Sequence, residues 1–584
     1  MAQIQQIQNR RNYWRSLWLP LLFFSLLTIL ATWPLAAHLR TSVIGINAGD
    51  NWYYVWLIGW FQKALFQYHQ NPLIVQFQNY PLGWNLAYSE ITLVNVVAAL
   101  PASLLSGPIL GYNFTILLTF ILSGLFMFWW VKSLTGSMAA GLVAGTAFAY
   151  TPYRMAHIYG HLPLMGTQYL VLHFAGLYYL LKQPSFSWKY AAMAGVGLGL
   201  AALSSMYYLY MTAIISIIFV LTYLLVVERR ALLRVAWWHN LLALAAIAAP
   251  FILIAVFPYF QLNAQGSTNH RPLDQVDVFS ASPPDFVIPS PLHFLWGNWV
   301  NTHFDRSLWI EQTLYIGIVV LLLAGFAIIW RKKHAETWKS IVLFTIVAGA
   351  AAILAMGTTL HWFQEQVTIH LPPFLDFLNL APKLHIYLPN YLLYKYLPFY
   401  NSMRAWMRYG IYTNLFLTVI AGIGFAQIER LIKRRSISLL FLTFTLLLIG
   451  IDFYSGPLSL SEVKPRPVDL WLGSQPGDGS YIQLPIYLNT SPPLVYGTLY
   501  NDKPFLGMFY GAYLPETYER EIPILAGFPD QASVDLLRSK NVKYILVEAA
   551  QYANWNETRR EIKALGLIQT TRTYGQYVFE FNSP

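Results

Sequence analysis

Along this chain the apolar positions run together in long unbroken stretches instead of alternating or recurring every third and fourth residue. A helix that crosses a bilayer needs about 20 mostly apolar residues, because each adds 1.5 Å of rise against about 30 Å of hydrocarbon. Stretches that fit are 17–37, 111–131, 138–150, 162–181, 190–205, 207–227, 235–257, 313–330, 341–356, 409–428 and 437–454. That is about 11 spans. The first follows Arg10, Arg11 and Arg15, has no small-residue cleavage site, and reads as an anchor. Stretch 138–150 is short. Stretch 91–106 is ambiguous and reads as an outer-leaflet or re-entrant helix broken near Pro101. After Tyr454 the pattern turns polar, with strand-like runs at 480–487, 542–547 and 575–581 and a helical run at 532–540. The expected organisation is a helical membrane domain over 1–455, with a large outer loop at 38–110, and a small α/β domain over 456–584.

Composition agrees: 56% of residues are hydrophobic and 11% charged, against about 25% charged in soluble domains. That excludes a soluble multi-domain enzyme, since too few charges exist to clothe several domains. Net charge is +11, from 37 basic and 26 acidic residues. With the N-terminus inside and strict alternation, 17 basic residues fall in short inner loops and 9 in the longer outer ones. The remaining 11 follow Ser455. The positive-inside rule therefore sets a cytoplasmic N-terminus and an extracytoplasmic C-terminal domain. It also explains clusters such as Arg331-Lys332-Lys333 and Lys433-Arg434-Arg435 without a nucleic-acid partner. A full span at 91–106 would turn both clusters outward. Cysteine is absent, which excludes disulfides, thiolate metal sites and a cysteine nucleophile. No internal repeat, low-complexity segment or Gly-rich phosphate loop is evident.

The long loops all fall outside, and loops on a rigid scaffold usually carry chemistry. Asp50, in Gly49-Asp50-Asn51-Trp52, opens an aromatic amphipathic stretch; it serves as an N-cap, as a general base beside an apolar wall, or as both. Glu90, just before an apolar helix, is a cap or a second carboxylate. The short loop Pro152-Tyr153-Arg154-Met155-Ala156-His157-Ile158-Tyr159-Gly160-His161 offers Arg154 and two histidines four apart, which share a helical face. No Glu follows His157 as in the zinc-protease motif, so substrate hydrogen bonding or interfacial packing fits better than a metal pair. Arg404 and Arg408 stand at the mouth of a membrane helix, either snorkelling to the headgroups or gripping a phosphate with their planar forks. The loop to Trp309-Ile310-Glu311 adds Glu311 and the tryptophans Trp296, Trp299 and Trp309, which suit sugar stacking or interfacial anchoring. Ionisable residues are scarce within the spans, which disfavours an ion-coupled transporter.

A first span followed by a large outer loop that opens with Asp50 and continues in two amphipathic helices resembles the GT-C glycosyltransferases, in particular bacterial protein-mannosyltransferase and aminoarabinose-transferase types. Leu134-Thr135-Gly136 through Ala149-Tyr150-Thr151-Pro152 is similar to their small-residue helix ending in proline, and segments 280–285, 311–317 and 404–408 resemble bacterial GT-C-like membrane proteins. The resemblance implies a GT-C-like polytopic α-helical fold in a bacterial inner membrane. It also implies inverting transfer of a sugar from a polyprenyl-phosphate donor to a glycan, lipid or protein acceptor. It places the catalytic acid at Asp50 and substrate contacts among Glu90, Arg154, His157, His161, Glu311, Arg404 and Arg408. Where many members carry a second acid, this chain has Asn51. No metal is required on that scheme, although a divalent ion is compatible with it. The alternatives are a non-enzymatic lipid or polysaccharide transporter and an envelope-assembly scaffold.

Overall fold

The computed structural model describes residues 2–264, 270–331, 337–370, 383–486, 491–507, 516–573 and 575–582. Lys332, Lys333 and Tyr487 lie outside them. Each apolar stretch carries a helix: Ala2–Ala31, Pro108–Thr135, Met138–Ala149, Thr167–Leu181, Trp188–Ser204, Met206–Val226, Val235–Ala264, Ile318–Ile329, Trp338–Ala355, Gly410–Glu429 and Arg435–Phe453. Among the described residues, 6 helices are long and apolar enough to cross a membrane: Pro108–Thr135, Met206–Val226, Val235–Ala264, Trp338–Ala355, Trp406–Glu429 and Arg435–Phe453. The chain is a mainly helical membrane protein. Stretch 91–106 forms a single helix, Leu93–Ser106, which passes through Pro101 instead of breaking there. Proline removes one backbone hydrogen bond, and the turns on either side hold the helix together. Its 14 residues rise only about 21 Å.

The chain divides into two compact units. The first comprises Met1–Ala37, Ile116–Ala255 and His270–Leu458. Its centre is the helix Gly410–Glu429, buried along nearly its whole length. Lipid offers no hydrophobic drive between helices, so close backbone approach through small residues carries the packing. A Cβ at Gly424 would stand 2.1 Å from the Leu323 carbonyl oxygen, and one at Gly145 would stand 2.6 Å from the Gly124 carbonyl oxygen. The short helix Met138–Ala149 is thereby surrounded by protein rather than stretched across lipid.

The second unit comprises His38–Thr115, Val256–Asn269 and Ser459–Pro584. The boundary expected at 455 lies close to the start of Ser459–Pro584, but the stretch 38–110 groups with the C-terminal residues and not with the membrane helices. The cause is pairing. Strand Ser42–Ile44 runs antiparallel to Leu460–Glu462, with Ser42 opposite Glu462. Helix Asp50–Phe66 turns its aromatic face inward, so that Trp52 Nε1 donates to Ser461 Oγ (3.1 Å) and Trp56 Nε1 to Thr498 Oγ1 (2.9 Å). Lys63 closes the far end on the Leu499 carbonyl and Asp502, both at 2.7 Å. The four-stranded sheet runs in the order Leu567–Thr573, Gln576–Phe581, Val542–Glu548, Ser480–Leu484. Only the last pair is parallel. Strand Leu567–Thr573 escapes the sequence reading because it is a polar edge strand.

Candidate functional site

The residues expected at the site fall into two groups, one in each unit. In the first unit, Pro152 opens the helix Pro152–His157, and the chain turns so that His161 N–H donates to the His157 carbonyl at 2.9 Å. The two imidazoles therefore stand together, with centroids 5.2 Å apart. Glu311 comes from the short helix Trp309–Gln312, and Arg408 from the turn Trp406–Tyr409. Arg408 Nη2 donates to Glu311 Oε1 at 2.6 Å, and its Nε reaches both carboxylate oxygens at 3.1 and 3.2 Å. His157 donates Nδ1–H to the Tyr153 carbonyl (2.8 Å), while its Nε2 lies 3.4 Å from Glu311 Oε2. His161 Nε2 lies 3.7 Å from Glu311 Oε1. The Tyr153 ring stacks on His157 at 4.0 Å, and Tyr207 lies 4.3 Å under the Arg408 guanidinium.

This group is dry: Glu311 and Arg408 side chains are 8% and 7% exposed. Burial pushes the Glu311 carboxyl up, but Arg408, His157 and His161 outweigh it and hold Glu311 well below the usual carboxylate range. Burial first, then the neighbouring His157, Arg408 and Arg404, push His161 down to about 3 against the pull of Glu311. Its Nδ1 has no hydrogen-bond partner, and its side chain keeps 24% exposure. Arg404 is half-buried; its backbone N–H donates to Tyr207 Oη, and its guanidinium sits 4.3 Å over Phe279. Among the described residues no carboxylate forms a salt bridge with it.

Arg154, expected to touch substrate, is instead committed to the fold. It is 0% exposed and donates to the Ala149 carbonyl (2.6 Å), Thr119 Oγ1 (3.1 Å) and the Met165 carbonyl (3.4 Å). Phe120 covers its other face at 4.2 Å. Burial lowers its guanidinium to about 9. Trp296 and Trp299 stay about half exposed, and Trp309 packs edge-on against Tyr159.

The second group lies in the second unit. Asp50 is the first residue of the helix Asp50–Phe66; the N-cap is Gly49, which offers no side chain. Asp50 therefore complements the helix dipole without being the cap, and it is exposed rather than walled in. Glu90 is half-buried and does not cap Leu93–Ser106 either, since Thr92 holds that position. One turn after Asp50, the Tyr53 side chain is 1% exposed. Its acidity is suppressed by burial first and then by the charges of Asp50 and Glu90, with Ser89 working the other way. Tyr112, also 1% exposed, lies within electrostatic reach of Asp50. Asn51 is structural: it is 0% exposed, its Nδ2 donates to the Ile44 carbonyl at 2.5 Å and its Oδ1 accepts from Trp52 N–H at 3.0 Å. A carboxylate there would face a carbonyl with no proton to give. Sequence reasoning missed both tyrosines. Spacing of one helical turn marks Tyr53, whereas nothing local marks Tyr112.

His157, His161 and Glu311 meet, yet among the described residues no group of three or more His, Asp or Glu has the geometry to hold a metal.

Comparison with known proteins supplies the frame. Residues 22–380 match the family described as a domain of unknown function, DUF6311. No curated protein matches the chain. Among solved structures, the archaeal oligosaccharyltransferase AglB from Archaeoglobus fulgidus, in complex with an inhibitory peptide and a dolichol-phosphate, is similar at TM-score 0.51 and 13% identity. The match covers 98% of this chain and 75% of AglB. The arabinofuranosyltransferase AftD from Mycobacteria is similar at TM-score 0.55 and 14% identity, over 98% of this chain but only 42% of AftD. ArnT from Cupriavidus metallidurans, bound to undecaprenyl phosphate, aligns at TM-score 0.47 and 11% identity over 96% of this chain and 97% of ArnT. The chain belongs to the DUF6311 family, and its fold is that of the GT-C glycosyltransferases.

Proposed function

We propose that this protein is a membrane glycosyltransferase that moves a sugar from a polyprenyl-phosphate donor to an envelope glycan, lipid or protein acceptor. It would act on the extracytoplasmic side of a bacterial inner membrane, with eleven spans and an extracytoplasmic C-terminal domain. The observation that carries the reading is an exposed carboxylate, Asp50, opening the first helix after the first membrane stretch in a chain with this fold. The fold shared with AglB, solved with a dolichol-phosphate, and with the arabinofuranosyltransferase AftD supports it.

The reaction is a single displacement. Asp50, exposed and able to meet an incoming hydroxyl, takes the acceptor's proton. The acceptor oxygen bonds to the anomeric carbon as the bond from that carbon to the phosphate oxygen breaks. The electron pair leaves with the lipid phosphate, and the anomeric centre inverts. Glu90 holds the acceptor. Charge that grows on the phosphate is met by positive groups already in place. Of Arg404 and Arg408, both within the first unit, Arg404 forms no salt bridge among the described residues, whereas Arg408 is held by Glu311. The scheme draws on no metal.

The test is turnover of polyprenyl-phosphate sugars by the full chain in membranes. Removal of a general base costs about 10²–10⁴-fold in rate, so Asp50→Asn should fall into that range, and Arg404→Gln should raise KM for the donor. Full activity in Asp50→Asn would remove Asp50 from the mechanism. Movement of the lipid-linked sugar across vesicles with no glycosidic bond formed would replace the transferase with a transporter.

A further inference from the structure

The membrane-facing surface of the first unit continues onto one of its loops. Along the helix Arg435–Phe453, Leu440, Phe444, Leu447, Ile451 and, just past its end, Tyr454 recur at spacings of four and three, so they share one face. All of them are exposed, by 48–68%. The helix is among the 6 long and apolar enough to cross a membrane, so that face meets lipid. Its 19 residues rise about 28 Å, close to the hydrocarbon thickness of about 30 Å. Tyr454 therefore stands at the boundary between hydrocarbon and headgroups.

The Tyr454 ring meets the Phe294 ring edge-on, with centroids 5.4 Å apart, and the Phe294 N–H donates to the Tyr454 carbonyl at 3.1 Å. His293 fastens the same joint with both ring nitrogens. Its Nε2 donates to the Asp452 carbonyl at 3.1 Å, and its Nδ1 accepts from the Leu295 and Trp296 N–H groups at 3.1 and 3.2 Å. Past this joint Phe294, Leu295, Trp296 and Trp299 are 47–58% exposed. The helix Gly297–His303 buries Gly297 and Val300 against the protein. Asn298 and Asn301 are exposed, each two places after a tryptophan. At 3.6 residues per turn, two places amount to about 200°, so each asparagine points away from the tryptophan before it. The exposed surface is thus split into an apolar and a polar side. A helix that lies in the plane of a membrane interface has that division, and tryptophan is enriched in that layer.

We infer that Phe294–Trp299 is an interfacial anchor whose partner is the bilayer. The side chains of Phe294, Leu295, Trp296 and Trp299 lie among the headgroups and upper acyl chains of the leaflet in which Arg435–Phe453 ends, while Asn298 and Asn301 face water. Sugar stacking, the other use open to Trp296 and Trp299, calls for a surface that stands in water, whereas this one continues a lipid-facing stripe through the Tyr454–Phe294 contact. The anchor ties the loop that leads to Glu311 to the membrane surface. It stands independently of the transferase reading.

The experiment measures depth. The chain has no cysteine, so a single introduced cysteine takes a nitroxide label at one place. The full chain, in nanodiscs of phosphatidylethanolamine and phosphatidylglycerol, is labelled at Leu295→Cys, Trp296→Cys, Trp299→Cys, Asn298→Cys or Asn301→Cys, one at a time. Electron paramagnetic resonance then compares relaxation by oxygen, which partitions into lipid, with relaxation by a water-soluble nickel chelate. Labels at 295, 296 and 299 should favour oxygen and read about 5–10 Å deeper than those at 298 and 301, the depth to which an interfacial helix sinks its apolar face. Leu295→Cys carries the test if a tryptophan variant does not fold. Labels at 295, 296 and 299 as open to nickel as those at 298 and 301 overturn the inference. Shielding from nickel that appears only when methyl glycosides are added overturns it too, and assigns the tryptophans to a carbohydrate. Shielding from both reagents also overturns it, and assigns them to a protein partner or a second copy of the chain.

Discussion

Arg408 and Glu311 form a buried ion pair, and its removal should be felt in stability before it is felt in catalysis. The side chains are 7% and 8% exposed and meet through contacts of 2.6, 3.1 and 3.2 Å. With charge centres about 4 Å apart and an effective dielectric of about 20, the attraction is about 4 kcal/mol. Removal of one partner of such a pair typically costs about 3–5 kcal/mol, because the other charge is left buried alone. Glu311→Gln and Arg408→Met should each lose that much, and Arg408→Met about 1 kcal/mol more for the Tyr207 face it abandons. The double variant Glu311→Leu with Arg408→Met should recover most of the loss, since an apolar pair of similar volume often replaces a buried ion pair at little cost. The measurement is the rate of thermal unfolding at fixed temperature in detergent, followed by tryptophan fluorescence, because membrane proteins commonly unfold irreversibly. A coupling of about 3 kcal/mol corresponds to roughly 100-fold in that rate if the pair breaks at the barrier. If the double variant unfolds as fast as the two single losses added together, the side chains are not coupled and the site is not built as described.

Asn51→Asp, which restores the acid found in many resembling proteins, should destabilise rather than activate, by about 1–3 kcal/mol, because it removes the donor to the Ile44 carbonyl; a more active, equally stable variant would refute this. Acid should weaken the fold in two stages. His161 is held at about 3 in the fold, below its usual 6.5, so the unfolded chain binds its proton first and stability falls as pH drops from about 6.5 toward 3. Glu311, held low, contributes stability that is full above its ordinary 4.5 and is lost only as pH falls through its depressed folded value. Between pH 6.5 and 4.5, His161→Gln should therefore flatten the stability curve while Glu311→Gln leaves its slope in place, as read from melting temperatures across that range. Gly317→Ala should cost about 2 kcal/mol or more, because φ is +96° and a Cβ would meet the Phe453 ring at 2.4 Å; an unchanged melting temperature would contradict that packing.

The helices were legible because long apolar runs have few other folds open to them in lipid, and each stretch read from the sequence carries one. What the sequence hid was partnership. The aromatic stretch from Trp52 to Phe61 reads as amphipathic, but nothing local says that its apolar face is covered by residues near 498. That contact depends on Ser42–Ile44 finding Leu460–Glu462 across more than four hundred residues of chain. Pro101 read as a break because proline is judged by the bond it removes, whereas the helix is decided by the bonds that survive around it. Arg154 stands among the substrate contacts expected from the short outer loop. Three neighbouring oxygens and the Phe120 ring claim it instead, and none of them is adjacent in sequence.

The same logic separates the two arginines at 404 and 408, which the sequence presents as equals. Four residues apart, they differ only in what the rest of the fold brings to them. Glu311 arrives at Arg408 from nearly a hundred residues away and neutralises it, while Arg404 receives an aromatic face and no carboxylate. In a chain with 11% charged residues, a buried acid is expensive to place. Its presence beside Arg408, and not Arg404, leaves the charge of Arg404 without a carboxylate salt bridge among the described residues. An anion that approaches this group would therefore meet Arg404 rather than Arg408.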